Sequence, residues 1–254
     1  MALYALGDMH LAFSVDKPMD RFGKVWKKHE EKLEKNCRKL IGNEDTFVIT
    51  GDHCWGKNLS EAKTDLAFIA DLPGNKILLR GNHDMFWDAK KTAVLNQEYE
   101  PQLHFLQNNH YHYQDYALVG TKGYTFEGPF YINSKGQIVG WDEANEKQAK
   151  KLVAREAERL RISFESAREA GFRKYIMFLH YPQQISWKRR VSSRGWPKST
   201  EWSMLYIPTA TESPVTATVS TEFTMGSGIT WFLETTSILS LKRSWIRSST
   251  GTVE

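Results

Sequence analysis

The chain has 254 residues, 41% of them hydrophobic and a quarter charged, with a formal net charge of +4. That length and composition suit one large globular domain or two smaller ones and exclude a disordered or low-complexity chain. No run is apolar enough for a membrane helix, the start "MALYALGDMH" lacks the basic region of a signal peptide, and two cysteines make neither a disulfide framework nor a zinc pattern, so a reducing, cytoplasmic location away from membranes is the expectation.

Residues 2–7, "ALYALG", read as a buried strand that runs into Asp8. Residues 19–41 have helical spacing, with Trp26, Leu33, Cys37, Leu40 and Ile41 near one face and lysines opposite. "TFVITGD" (46–52) is a second strand, 59–72 a helix stopped by Pro73-Gly74, and "KILLRGNHD" a third strand ending in polar residues. Helical signals return at Met85–Leu95, and short strands are expected at 103–106, 110–114 and 116–121. Residues 131–141 suggest a hairpin turning at Ser134–Gly136, and 142–170 a long charged helix with Asp142 as N-cap and Gly171 past its end. "KYIMFLHYP" (174–182) is another buried strand. Strand–helix alternation of this kind predicts an α/β fold with sheets covered by helices.

Four of these strands deliver polar groups where they end: Asp8, Asp52, the Asn82-His83-Asp84 group and His180. Ligands of α/β sheets bind outside the carboxyl ends of the strands. Asp8 and His10 lie two apart and suit a divalent transition metal together. Asp52 has two oxygens and can bridge two ions, while Asn82 offers an amide oxygen and His180 a ring nitrogen. His83 stands beside them as a candidate proton donor to a leaving oxygen, and Asp84 as the carboxylate that orients it. Taken singly, each has a structural explanation: Asp8 and Asp52 as turn residues, Asn82 as a helix cap, His180 as a core histidine. Four strand-terminal groups in order are harder to explain as turns. His29, His104, His110 and His112 read as surface or loop residues.

"GDMH", "GDHCW", "LRGNHD" and "LHYP" resemble the successive motifs of the calcineurin-like metallophosphoesterases, over residues 3–182. The resemblance implies an α/β sandwich of two β-sheets flanked by helices and a centre of two divalent metal ions, Mn, Fe or Zn. It implies hydrolysis of phosphomonoesters or phosphodiesters, in a phosphate-ester small molecule or a phosphoprotein. It assigns Asp8 and His10 to one metal, Asp52 as the bridge, Asn82 and His180 to the other, and His83 as the catalytic histidine. One departure is visible: where that family's second motif often ends in an aspartate, this chain has Trp55.

The family's fifth motif, a His-x-His that gives one ligand to each metal, has no counterpart, since all eight histidines lie at or before His180. From Gln183 onward the chain also has no Asp, Asn or Cys, and 25 Ser and Thr against 11 in the first 182 residues. A one-base change of reading frame around Pro182-Gln183 explains so abrupt a break, because codons compatible with Gly195–Ser213 spell, in the shifted frame, an amphipathic segment, a buried strand and a His-x-His. Residues 1–182 are then an incomplete metallophosphoesterase domain, and 183–254 a replacement for its remainder, with a disrupted C-terminal part in which pieces such as 229–241 still pair as strands. Thr209-Ala210-Thr211 stands where the two imidazoles are expected. The alternative to a hydrolase is a degenerate, non-catalytic homologue. Nucleic-acid binding is not expected: residues 1–182 hold 26 basic and 25 acidic side chains, so the excess sits almost wholly in the anomalous tail, 8 against 5. The aromatic residues Tyr124, Phe126, Phe130 and Tyr131 belong either to a rim loop or to the core of the second sheet.

Overall fold

A computed structural model describes residues 1–124, 130–132, 138–141, 143–181, 201–206 and 239–241. In chain order the strands are β1 (Leu3–Leu6), β2 (Thr46–Ile49), β3 (Asn75–Leu79), β4 (Leu103–Leu106), β5 (Tyr111–Tyr113), β6 (Tyr116–Thr121), β7 (Phe130–Ile132), β8 (Ile138–Trp141), β9 (Lys174–Leu179), β10 (Glu201–Tyr206) and β11 (Leu239–Leu241). The α-helices are α1 (His29–Leu40), α2 (Leu59–Asp71), α3 (Thr92–Tyr99) and α4 (Glu143–Glu169).

Two sheets form. The first runs β11-β1-β2-β3-β4, parallel from β1 to β4 with β11 antiparallel on the edge. The second runs β10-β9-β6-β5, and β7 pairs with β8 as an antiparallel hairpin. Successive strand residues face opposite ways, and the apolar runs use both faces. Leu3, Ala5, Val48, Ile77 and Leu79 of the first sheet meet Leu118, Ile176 and Phe178 of the second in one inner core. On the outer face of the first sheet, Leu6, Phe47, Ile49 and Leu78 pack with Cys37 of α1, Leu66 and Ile69 of α2 and Leu95 of α3. On the outer face of the second, Val119, Met177 and Leu179 pack with Leu160, Phe164 and Ala167 of α4. The result is the expected helix–sheet–sheet–helix sandwich. Emptying its centre by Phe178→Ala costs about 3–5 kcal/mol.

Helix 19–41 is shorter than its spacing predicts. Gly23, at φ 128°, and Lys28, at φ 54°, interrupt it, so Met19–Phe22 and Lys24–Trp26 are 3₁₀ turns and α1 begins at His29. Met85–Leu95 also differs. Met85 to Asp88 is not helical; the Asp88 side chain caps the 3₁₀ turn Ala89–Lys91 by accepting from Lys90 N, and α3 starts only at Thr92. Gly171, at φ 94°, ends α4 as predicted, with Phe172 N donating to the Ala167 carbonyl. Asp142, Ser134–Gly136, Phe126 and Thr209–Thr211 lie outside the described residues. Of the 229–241 segment, Leu239–Leu241 pairs with β1 and the rest lies outside. Among the described residues no helix is long and apolar enough to cross a membrane.

Candidate metal centre

The parallel strands β1, β2 and β3, with β9 of the second sheet, open onto one rim. Beyond β1 and β2 the backbones stay paired: Asp8 N donates to Gly51 O, His10 N to Asp52 O and Leu11 N to His53 O, at 3.0, 2.9 and 2.9 Å. This cross-loop ladder holds three non-glycine residues in the left-handed region, Asp8 at φ 57°, His10 at φ 45° and Asp52 at φ 55°. Such conformations concentrate at functional sites. The neighbouring loops approach so closely that a Cβ on Gly81 would meet Asp52 Oδ1 at 2.1 Å, and one on Gly51 would meet His180 Nδ1 at 2.7 Å.

The structure brings all five expected ligand residues together. His10 Nε2 lies 3.5 Å from Asp8 Oδ1 and 3.7 Å from Asp52 Oδ2. The donor atoms of Asp8, His10 and Asp52 all lie within 4.8 Å of one another. On the other side, His180 Nε2 lies 3.5 Å from Asp52 Oδ1 and 2.8 Å from Asn82 Oδ1. The two Asp52 oxygens therefore serve two separate groups. His180 Nδ1 donates to the Thr50 carbonyl at 2.9 Å, which fixes the proton on that nitrogen. In the neutral ring Nε2 is then an acceptor facing two further acceptors, a set of lone pairs that a cation accommodates. His10 Nδ1 is buried with no hydrogen-bond partner among the described residues. The donor set of carboxylates, imidazoles and one amide oxygen fits divalent ions such as Mn, Fe or Zn. Burial pushes the Asp52 carboxyl above the usual range, with His180 opposing that shift.

His83 reaches the same centre. Its backbone N donates to Asp52 Oδ1 at 2.8 Å, its Nε2 lies 4.0 Å from Asp52 Oδ2, and its side chain is about a third exposed, so it can meet a ligand from solvent. Burial lowers its pKa, and the Asp52 carboxylate works against that shift.

Asp84 departs from expectation. It does not orient His83. Its carboxylate is fully buried and accepts from Gly81 N at 2.6 Å, Asp52 N at 2.9 Å and His53 N at 2.8 Å, and His53 Nδ1 lies 2.9 Å away. Burial opposes its ionisation, but His53 and the amides outweigh burial and hold the carboxyl well below the usual range. Asp84 ties the β2 loop to the β3 loop and so sets where Asp52 sits.

Three residues outside the expected ligand set also belong here. His53 is the buried partner of Asp84; its place directly after Asp52 is the only sequence signal for it. His29 is not a surface residue, because its Nε2 lies 2.9 Å from the carbonyl of Met9, between Asp8 and His10. Trp55 stacks on His10, with centroids 4.9 Å apart at 21°, and tilts against His83 at 4.4 Å. Lys17 Nζ sits 4.4 Å from the Trp55 ring centre and the indole N–H points to Met19 Sδ at 3.2 Å. An aromatic wall thus occupies the place where a hydrogen-bonding carboxylate was expected.

Among solved structures, the protein of unknown function AQ665 from Aquifex aeolicus is similar at 18% identity, covering 81% of this chain and 90% of that chain, with a TM-score of 0.39. No curated protein matches the chain. The calcineurin-like phosphoesterase family matches residues 1–204, a span that takes in every ligand candidate at the rim. With that match over well more than half of its length, the chain belongs to the calcineurin-like phosphoesterase family.

Proposed function

We propose that the chain is built as a metal-dependent phosphoesterase, acting on phosphomonoesters or phosphodiesters of small molecules or phosphoproteins in the cytoplasm. Its centre is dinuclear: Asp8, His10 and Asp52 on one side, Asp52, Asn82 and His180 on the other. The observation that carries this reading is the division of Asp52, with Oδ2 toward His10 and Oδ1 toward His180. Divalent ions bound there supply Lewis-acid polarisation of a phosphate ester and lower the pKa of water. His83 Nε2 holds a proton for the leaving oxygen, a role worth about 10²–10⁴-fold in rate. Asp84 and His53 keep Asp52 in place, and Trp55 packs His10 and His83 against each other.

In this chain the activity is impaired. The family resemblance calls for one further imidazole at each ion, and no histidine follows His180. The same observation favours a second reading, a non-catalytic homologue with weak metal binding. Elemental analysis after dialysis with Mn²⁺ tests the centre. Asp52→Asn is expected to remove metal from both positions, and Asp8→Asn from one. Equal retention in both variants refutes the bridge.

A further inference from the structure

His29 is the first residue of α1, set there by the left-handed turn at Lys28, and its side chain is 16% exposed. The first turn of a helix favours acidic groups, which Glu30 and Glu31 supply, so the helix itself calls for no histidine at this place. Its Nε2 donates to the Met9 carbonyl at 2.9 Å, and Glu30 Oε2 lies 3.0 Å from its Nδ1 on the other edge of the ring. Met9 is 1% exposed, and among the described residues no backbone N–H donates to its carbonyl. Losing His29 would leave that buried acceptor without this bond.

A histidine bonded to a carbonyl is ordinarily a satisfied side chain and nothing more. His29 differs in which carbonyl it holds. The Met9 carbonyl and the His10 N–H belong to one peptide unit, and a peptide unit is planar. His29 holds the carbonyl end of that plane, and the Asp52 carbonyl holds the N–H end, accepting from His10 N at 2.9 Å. The plane so pinned lies between two residues in the left-handed region, Asp8 at φ 57° and His10 at φ 45°. Its orientation sets φ of His10, and with it the direction of an imidazole whose Nε2 is 3.5 Å from Asp8 Oδ1 and 3.7 Å from Asp52 Oδ2. A second contact runs through the side chains: Trp26 packs T-shaped on His29, with centroids 5.3 Å apart, and T-shaped on His10 at 5.9 Å.

We infer that His29 is a positioning residue for the first metal position: by holding the peptide between Met9 and His10 it aims the His10 imidazole at the ion shared with Asp8 and Asp52. The ion rests on the phosphoesterase reading; the hold on the peptide does not. The contacts of His29 lie on the Asp8 and His10 side of the centre, so its loss should weaken one metal position more than the other.

Hydrogen exchange of the full chain in EDTA, read by mass spectrometry on peptides that span 8–11, tests the hold without metal. In His29→Ala these amides should exchange about tenfold faster, the loss of one hydrogen bond. His29→Gln should restore slow exchange, because its amide nitrogen reaches as far as Nε2; His29→Asn, which reaches only as far as Nδ1, should not. Lys35→Ala, at an exposed position of the same helix, should leave exchange unchanged. Equal exchange in the wild-type chain and His29→Ala overturns the proposal. So does faster exchange spread evenly over every strand, the mark of a merely structural loss, or equal behaviour of the glutamine and asparagine variants. Mn²⁺ titration followed by electron paramagnetic resonance is the second measurement. His29→Ala should bind one Mn²⁺ about 10–100-fold more weakly, the usual cost of losing a group that orients a ligand. Loosened exchange with unchanged Mn²⁺ affinities also overturns the proposal. A wild-type chain that binds no Mn²⁺ while the variants exchange as expected sinks the phosphoesterase centre and leaves the hold on the peptide standing.

Discussion

Replacing Asp84 by alanine tests whether that carboxylate holds the backbone or serves His83. Alanine strands three buried amides, Gly81, Asp52 and His53, together with the His53 ring. At about 1–3 kcal/mol for each unsatisfied buried donor, the amides alone sum to roughly 3–9 kcal/mol. Relaxation and entry of water reduce this to about 3–5 kcal/mol, the usual cost of leaving one side of a buried ionic pair. That is a large part of the roughly 5–15 kcal/mol that stabilises a typical fold. With a guanidinium slope of about 4 kcal/mol per molar, the unfolding midpoint should fall by roughly 1 M, read by tryptophan fluorescence. Asp84→Asn keeps one oxygen and should lose less. Were Asp84→Ala to leave the midpoint in place and lower only catalysis, the backbone role would be refuted and the orienting role restored.

Restoring one base near the Pro182 codon should convert a weak or inactive chain into a Mn²⁺-dependent phosphoesterase, measured with p-nitrophenyl phosphate and its bis ester; His83→Ala in the repaired protein should then remove about 10²–10⁴-fold of the rate. Equal turnover before and after repair would show the tail histidines to be dispensable. Asp65 is buried and accepts from Phe13 N at 2.9 Å, and burial raises its pKa. The folded state therefore holds that proton longer than the unfolded one, so stability falls as pH rises from about 4 through the folded pKa. Asp65→Asn cannot ionise, and its urea midpoint should gain on the wild type over that window; parallel curves would refute the assignment. Cys37 and Cys54 are both buried, with burial pushing the Cys37 thiol up to about 12 and Cys54 up as well. Ellman's reagent at pH 8 should find neither thiol in the folded chain and both in guanidinium, and prompt reaction without denaturant would contradict the packing.

Much of the sandwich was legible because its signals are local. Leu3-Tyr4-Ala5-Leu6 and Ile77-Leu78-Leu79 announce strands by their own apolar runs, and each polar group of the centre follows such a run directly. Where the outcome depended on distant partners, spacing misled. The periodicity of 19–41 carries no mark of the left-handed turn at Lys28, and Met85–Leu95 reads as helix until the buried Asp84 and Trp87 anchor its first residues. The same limit hid the role of Asp84. A carboxylate beside a histidine looks like its partner in a linear text, yet three amides and His53 lie closer in space. Trp55 could be recognised as a departure, but not as a ring stacked between His10 and Lys17.

The left-handed backbone at Asp8, His10 and Asp52 sets the protein's evolvability against its chemistry. A left-handed L-residue costs about 1–2 kcal/mol, least for aspartate, whose short side chain tolerates it, and most here for His10. Glycine carries no such cost in the folded chain and loses about 0.5–1 kcal/mol of it through its freer unfolded state. A selection for heat resistance alone would therefore be drawn to glycine at position 10 before almost any surface change, and would trade a proposed ligand for melting temperature. Thermostabilised descendants of this chain should be screened for metal before they are screened for heat.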